Sequence, residues 1–416
     1  MTPPASRLLL AGRVVTCDPA RATADDPLGV IPHGGGLVEG GRVTAIGDRA
    51  ALLAAAPHAA VVERPNAVIT PGLVDAHTHA PFAGSRHAEY ALRMAGAGYE
   101  AIAASGGGIV STMRAVRSAS AEALLEELGA RLGRMARAGV TTVEAKSGYG
   151  LDLASEQKQL EVLARAGARA DLPRLVPTYL ALHALPPEAG GDRDAYAARI
   201  ARDDLPAIAG AGLARFVDAY VDRSAFSVAQ VRPALERARE LGLGVRLHVG
   251  QFADVGGAEL AAELGASSAD HLENVSEEGA RRLAEAGVRA VLLPVASFTL
   301  GQAPPPVALL RAAGVRLVVA SDANPGTAPT ESLPLALAFA VRLYGLTIAE
   351  AILGATREAA ASLGLDDVGV LRAGARADVV VWDLPHEAAL AQPLGTPRAE
   401  LVLRDGVALH AASTAS

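Results

Sequence analysis

Short apolar runs separated by polar and Ala-rich stretches divide the chain into three parts. Up to about residue 66 the runs end in turn residues: RLLLAGRVVTCD, GGLVEGGRVTAIGD and AVVERPNAVITPG. β-Branched residues on either side of pairs such as Gly40-Gly41 predict strands joined by hairpin turns. ADVVVWDL and AELVLRDGVALHA repeat that texture near the C-terminus. In between, apolar strands alternate with longer Ala/Leu/Glu/Arg helices. The strands are VTTVEAKSG, RLVPTYLALHA, FVDAYVD, GVRLHVGQF, SSADHLE, RAVLLPVAS and RLVVASDAN; SAEALLEELGARLGRMARAG and SVAQVRPALERARELG are examples of the helices.

Strand–helix alternation sustained this long predicts a parallel sheet closed as a (β/α)8 barrel, a TIM-like α/β fold. An open doubly wound sheet is the alternative, but no G-x-G-x-x-G stands between a strand and a helix. Gly106-Gly107-Gly108 has no strand directly before it and is a weak dinucleotide loop. The expected organisation is a barrel over 68–367 and a small β-sandwich composed of both chain ends, 1–67 and 368–416.

Composition narrows the class. At 416 residues the chain exceeds the roughly 250–300 at which one core stops growing, which fits a large domain with a smaller one. Half the residues are apolar, so an ordinary core is available. A formal charge of −7 gives no electrostatic reason to expect nucleic acid or an anionic membrane as partner. Any bound anion must meet local positive charge. Cys17 is the only cysteine, which excludes a disulfide framework and a Cys-based zinc knuckle. The N-terminal apolar stretch is broken by Gly12 and Arg13, and runs such as Ala290–Ala296 fall far short of the roughly 20 residues of a spanning helix. Cytoplasmic residence is the expectation.

In a barrel, chemistry gathers at the C-terminal ends of the strands. AVITPGLVDAHTHA ends in His77-Thr78-His79, and alternation along a strand turns both imidazoles to one side. LALHA ends in His183, RLHVGQ in His248, SADHLE in His271 and VVASDANPG in Asp322. Each has a plainer reading, a hydrogen-bonded core histidine or an aspartate shaping a turn. All of them at strand ends together point to a metal. Three histidines and one carboxylate suit a single divalent ion with a water in an open position, and Asp322 is the carboxylate to act as ligand, base or both. His33, His58, His386 and His410 fall in peripheral segments and read as structural; His87 has no evident place.

The set PGLVDAHTHAPFAGSR, LHVGQF, SADHLE and ASDANPG resembles the amidohydrolase superfamily. HTHAPFAGSRHAEYALRMAG, GGGIVSTMRAVRSAS, TTVEAKSGYGLD, LALHALP, GGAELAAELGASSADHLE and SDANPGTAPTESLPLALAFA resemble, within it, the imidazolonepropionase family, from about residue 70 to 360. The resemblance implies hydrolytic ring opening of 4-imidazolone-5-propanoate to N-formimidoyl-L-glutamate in histidine degradation, with one zinc or iron ion. It implies His77, His79, His248 and Asp322 as ligands and a homodimer as the assembly. Arg86 and Tyr149 would hold the substrate carboxylate, His183, Asn324, Gly326 and Thr327 would contact the ring, and His271 would orient water or the developing oxyanion. A guanidinium at Arg86 is a two-pronged match for a carboxylate. Lys146 stands on the strand before His183 and reads as supporting the site, not as a carboxylated bridge between two metals.

One departure matters. Gln251 stands three residues after His248, where many relatives and the related deaminases carry glutamate. It can hydrogen-bond substrate or water but cannot shuttle a proton, which places that work on Asp322 with help from His271. The competing readings are a deaminase of aminoheterocycles, which relies on that glutamate, and a non-catalytic barrel scaffold, which need not keep four ligands.

Overall fold

The computed structural model describes residues 6–96 and 107–412. Gly106 of the Gly-rich run lies outside them. Eight strands run parallel, each hydrogen-bonded to the next in chain order: β6 (Leu73–Asp75), β7 (Val140–Lys146), β8 (Arg174–Leu182), β9 (Phe216–Val221), β10 (Gly244–Val249), β11 (Ser268–His271), β12 (Arg289–Leu292) and β13 (Leu317–Val319). Their side chains are buried on both faces, as expected of a sheet wrapped by helices. The seam between β6 and β13 closes just beyond their ends. Asp322 N–H donates to His77 O at 3.1 Å and His79 N–H to Ala323 O at 3.0 Å. The barrel therefore shuts at the residues singled out for chemistry.

Local signals set the helix limits. Ser120 and Asp152 cap the helices Ala121–Arg137 and Leu153–Gly167 with their side chains, and Ser227 with Gln230 forms a capping box on Val228–Glu240. The apolar run RAVLLPVAS is not one strand. It pairs only over Arg289–Leu292, and Pro294 then starts a helix, Pro294–Leu300. Proline has no N–H to give the sheet, and its fixed φ suits the first helical turn.

The chain ends build one mixed sheet, β1 (Ser6–Val15), β2 (Val30–Pro32), β3 (Gly34–Glu39), β4 (Arg42–Asp48), β5 (Ala60–Pro71), β14 (Val379–Trp382), β15 (Ala399–Arg404) and β16 (Val407–Ala411). Gly40 and Gly41, at φ 55° and 78°, turn β3 into β4 as a two-residue hairpin of the type that needs positive φ at both positions. The first half of β1 alternates: Leu8 and Leu10 pack against Leu37 and Leu52, while Leu9 and Ala11 pack with Val38, Val379 and Leu403. Trp382 joins the two units. It is fully buried, donates Nε1–H to Thr70 Oγ1 at 2.9 Å, and packs on Gly139, where a Cβ would overlap its ring. Among the described residues no helix is long and apolar enough to cross a membrane.

Candidate active site

Thr78 sets the direction of its neighbours. Its hydroxyl donates to Glu144 O at 2.8 Å and its N–H to Glu144 Oε2 at 3.2 Å, so it faces β7 while His77 and His79 face the barrel axis. His248 reaches the same space from β10, and Asp322 from the turn after β13, at φ 56°. Asp322 Oδ1 lies 3.5 Å from His77 Nε2 and 3.4 Å from His79 Nε2, and His248 Nε2 lies 3.4 Å from His79 Nε2. Ligand atoms of the three histidines all fall within 4.8 Å of one another.

Carboxylates behind the rings decide which nitrogens face inward. His77 Nδ1 is 2.6 Å from Asp270 Oδ2 and His248 Nδ1 is 3.0 Å from Asp218 Oδ2. A carboxylate only accepts, so both rings carry hydrogen on Nδ1 and turn the Nε2 lone pair to the centre. His77 Nε2 is buried without a hydrogen-bond partner. Converging lone pairs and a carboxylate repel one another unless a cation sits among them. This donor set is that of a divalent-metal site. Burial pushes His79 and His248 down towards the neutral form that a ligand needs. Burial would raise Asp322, but the His77 and His79 rings beside it outweigh that and hold the carboxyl well below its usual range.

The charges that support this layer were not paired by sequence reading. Lys146 Nζ lies 2.8 Å from Glu144 Oε1 and 3.0 Å from Asp218 Oδ2; Arg246 Nη2 lies 3.5 Å from Asp270 Oδ2 and donates to Ala76 O at 2.8 Å. All five side chains are fully buried. The signal was present, charged residues alternating with apolar ones along strands, but their partners lie on other strands. Lys146 is thereby engaged with carboxylates as a structural cation.

On the outer side, His183 Nδ1–H donates to Gly148 O at 2.8 Å, and its ring stacks on His79 at 5.2 Å between centroids. Burial, with His79 adding to it, pushes its pKa down to about 3, so His183 is a neutral imidazole with Nε2 free to accept. Tyr149 stands 5.2 Å from His183 and 5.8 Å from His79. The turn that holds both is tied by Glu156, which accepts N–H from Gly148, Gly150 and Leu151 at 2.6, 2.7 and 2.7 Å. His271 ends β11 with its ring 5.4 Å from His248 and 6.0 Å from His77. Gln251 Oε1 accepts from the Tyr220 hydroxyl at 2.5 Å, leaving the amide nitrogen to face elsewhere.

Arg86, Asn324 and Gly326 border a cavity of about 310 Å3 with Phe82, Tyr90 and Thr330. Arg86 is already paired: Nε donates to Glu89 Oε2 at 2.9 Å and Nη2 contacts the other oxygen, leaving Nη1 against Gly326, where a Cβ would collide with it. Asn324 is committed to its own turn. Its Nδ2 donates to Asp322 O at 2.7 Å and Thr327 Oγ1 at 2.9 Å, while Oδ1 accepts from the N–H groups of Gly326 and Thr327 at 2.8 and 2.7 Å. As it stands it shapes the Gly326-Thr327 segment and has no amide hydrogen left for a ligand. His87 Nε2 lies 2.9 Å from Ser85 Oγ on the rim of the same cavity.

Known proteins agree with this geometry at two levels. The model of the amidohydrolase family matches residues 68–408. Among solved structures, an adenosine deaminase from Xanthomonas campestris with bound zinc superposes with a TM-score of 0.72 at 20% identity, covering 98% of this chain and 93% of that one. The zinc complex of an atrazine chlorohydrolase from Arthrobacter aurescens gives 0.67 at 18%, over 97% and 95%. Such distant likeness establishes the fold. Imidazolonepropionases are far more similar: that of Pseudomonas aeruginosa is 48% identical over 88% of this chain and 92% of its own length. Those of Methylobacterium nodulans, 47% over 86% and 92%, and Cupriavidus necator, 45% over 96% and 94%, are comparable. The barrel, the three-histidine cluster and this similarity lead to one statement: the chain belongs to the imidazolonepropionase family of the amidohydrolases.

Proposed function

We propose that this enzyme hydrolyses the ring of 4-imidazolone-5-propanoate to N-formimidoyl-L-glutamate, a step of histidine degradation. One observation carries the reading: Asp322 and the Nε2 faces of three histidines converge directly beside a neutral acceptor, His183, in a chain about 45% identical to imidazolonepropionases. Water adds across the ring C–N bond; its oxygen joins the carbonyl carbon, the bond to nitrogen breaks, and that nitrogen gains a proton.

Bound among His77, His79, His248 and Asp322, a zinc or iron ion supplies Lewis acidity towards water and a carbonyl oxygen. Asp322 takes the proton of the attacking water and returns it to the leaving nitrogen, acting as base and then acid. His183 accepts a ring N–H through Nε2. Arg86 Nη1 and the Tyr149 hydroxyl hold the propanoate carboxylate, and the turn of Gly326 and Thr327 walls the ring. His271 orients the water, and Gln251, which cannot carry a proton, hydrogen-bonds from its amide. An aminoheterocycle deaminase would need an acid at position 251. The purified enzyme, assayed on imidazolone propanoate and on a panel of aminoheterocycles, is expected to consume only the former. Ammonia release from the panel alone would overturn the reading.

A further inference from the structure

Two buried polar atoms beside the catalytic layer face each other without a hydrogen-bond partner. They are Nδ1 of His271 and Oε2 of Glu273, 3.8 Å apart, on side chains no more than 4% exposed. At that distance they are within reach of each other and not yet a hydrogen bond. The backbone holds them there by a conformation that L-residues rarely adopt: His271 has φ 81° and Leu272 φ 72°. Two successive residues of this kind persist only where the surroundings over-determine them, and they cluster at functional sites.

The other carboxylate oxygen is spoken for. Ser297 Oγ–H donates to Glu273 Oε1 at 2.6 Å, and Ser297 Oγ lies 2.5 Å from the Tyr344 hydroxyl. Serine has one hydroxyl hydrogen and it is used on Glu273, so Tyr344 must donate to Ser297. The hydrogen bonds then run one way, Tyr344 to Ser297 to Glu273, leaving Oε2 as the free end beside the His271 ring. The chain also has a need for such a device. Gln251 is tied at Oε1 to Tyr220 and has no proton to exchange.

We propose that Glu273 is the positioning residue of His271: its Oε2 accepts the Nδ1–H of His271, fixing that tautomer and leaving Nε2 as the acceptor, with Ser297 and Tyr344 holding the carboxylate in place. The consequence for turnover rests on the ring-opening reading above; the pairing itself does not.

The experiment uses the metal-loaded enzyme and its Glu273→Gln and Ser297→Ala variants, with His271→Asn to assign the signal. Steady-state kinetics on imidazolone propanoate are combined with 15N–1H spectra of the histidine side chains. Glu273→Gln is expected to lower kcat at least tenfold while KM and metal content stay within twofold of wild type, and to weaken and shift the Nδ1–H signature of His271, because a neutral amide oxygen is a poorer acceptor than a carboxylate. Ser297→Ala, a milder change, lowers kcat three- to tenfold. Wild-type kcat in both variants, or a His271 signature unchanged by Glu273→Gln, overturns the assignment. If the wild type itself does not turn over this substrate, the ring-opening reading fails, and the spectra still decide the pairing.

Discussion

Asp270 and Asp218 do their work through another residue. Each fixes the tautomer of a ligand histidine and is held in turn by Arg246 or Lys146. Replacing Asp270 with Asn keeps the shape but removes the charge that favours Nδ1–H on His77; partners of this kind typically change metal affinity about 10–100-fold. Competition with a chromophoric chelator is expected to show that loss for Asp270→Asn. Arg86 acts at the other end of the site. With Nε and Nη2 on Glu89, only Nη1 is left for the carboxylate contact proposed for it, and losing a charge-assisted contact costs about 1.5–3 kcal/mol. Arg86→Ala is expected to raise KM by about one to two orders of magnitude with metal content unchanged; an unchanged KM removes Arg86 from that role. Cys17 shows what burial does to a lone thiol: it pushes the pKa up to about 11 from 9.0. A folded pKa above the unfolded one means its contribution to stability is complete below about 9 and declines as pH rises towards 11. Burial keeps the thiol protonated and out of reach at pH 8, so the native protein is expected to resist a disulfide reagent that reacts fully after unfolding.

At the scale of elements, the site is assembled from strand ends and the turns that follow them. The converging side chains were legible in the sequence because a histidine or aspartate closing an apolar run stands out, as in LVDAHTHA and VVASDAN. The supporting charges were not, because Asp270 is 193 residues from His77 and only the barrel brings them together. Arg86 with Glu89 is different: the two are three residues apart at a helix start, visible as a pair yet easily read as a free arginine. Asn324 shows the limit of carrying a role by motif, since geometry spends its amide on its own turn. RAVLLPVAS is a strand only in its first half because periodicity cannot separate a buried strand from a short buried helix, and Pro294 was the overlooked sign. The turn 148–151 gives a test at this scale. Glu156 accepts three of its N–H groups, and the same turn supplies Tyr149 and the carbonyl that orients His183. Glu156→Ala is expected to raise KM at least tenfold with metal content retained, measured by steady-state kinetics and metal analysis.

The whole molecule is a barrel sealed at its own catalytic seam and bolted to a sheet made from both chain ends. Trp382 is the bolt, and it is the only tryptophan. Its emission therefore reports on the junction alone. Emission and far-ultraviolet circular dichroism are expected to change together on unfolding, because the junction and the barrel share one buried cluster containing Trp382 and the barrel strands. Trp382→Ala should cost about 3–5 kcal/mol, read from denaturant midpoints. The central claim is that one metal among His77, His79, His248 and Asp322 supports ring opening. Its most direct test is to strip the enzyme and titrate zinc back while following loss of imidazolone propanoate. Activity is predicted to rise linearly and to break sharply at one equivalent per chain. Full activity in the stripped enzyme, or a break at two equivalents, would contradict the account.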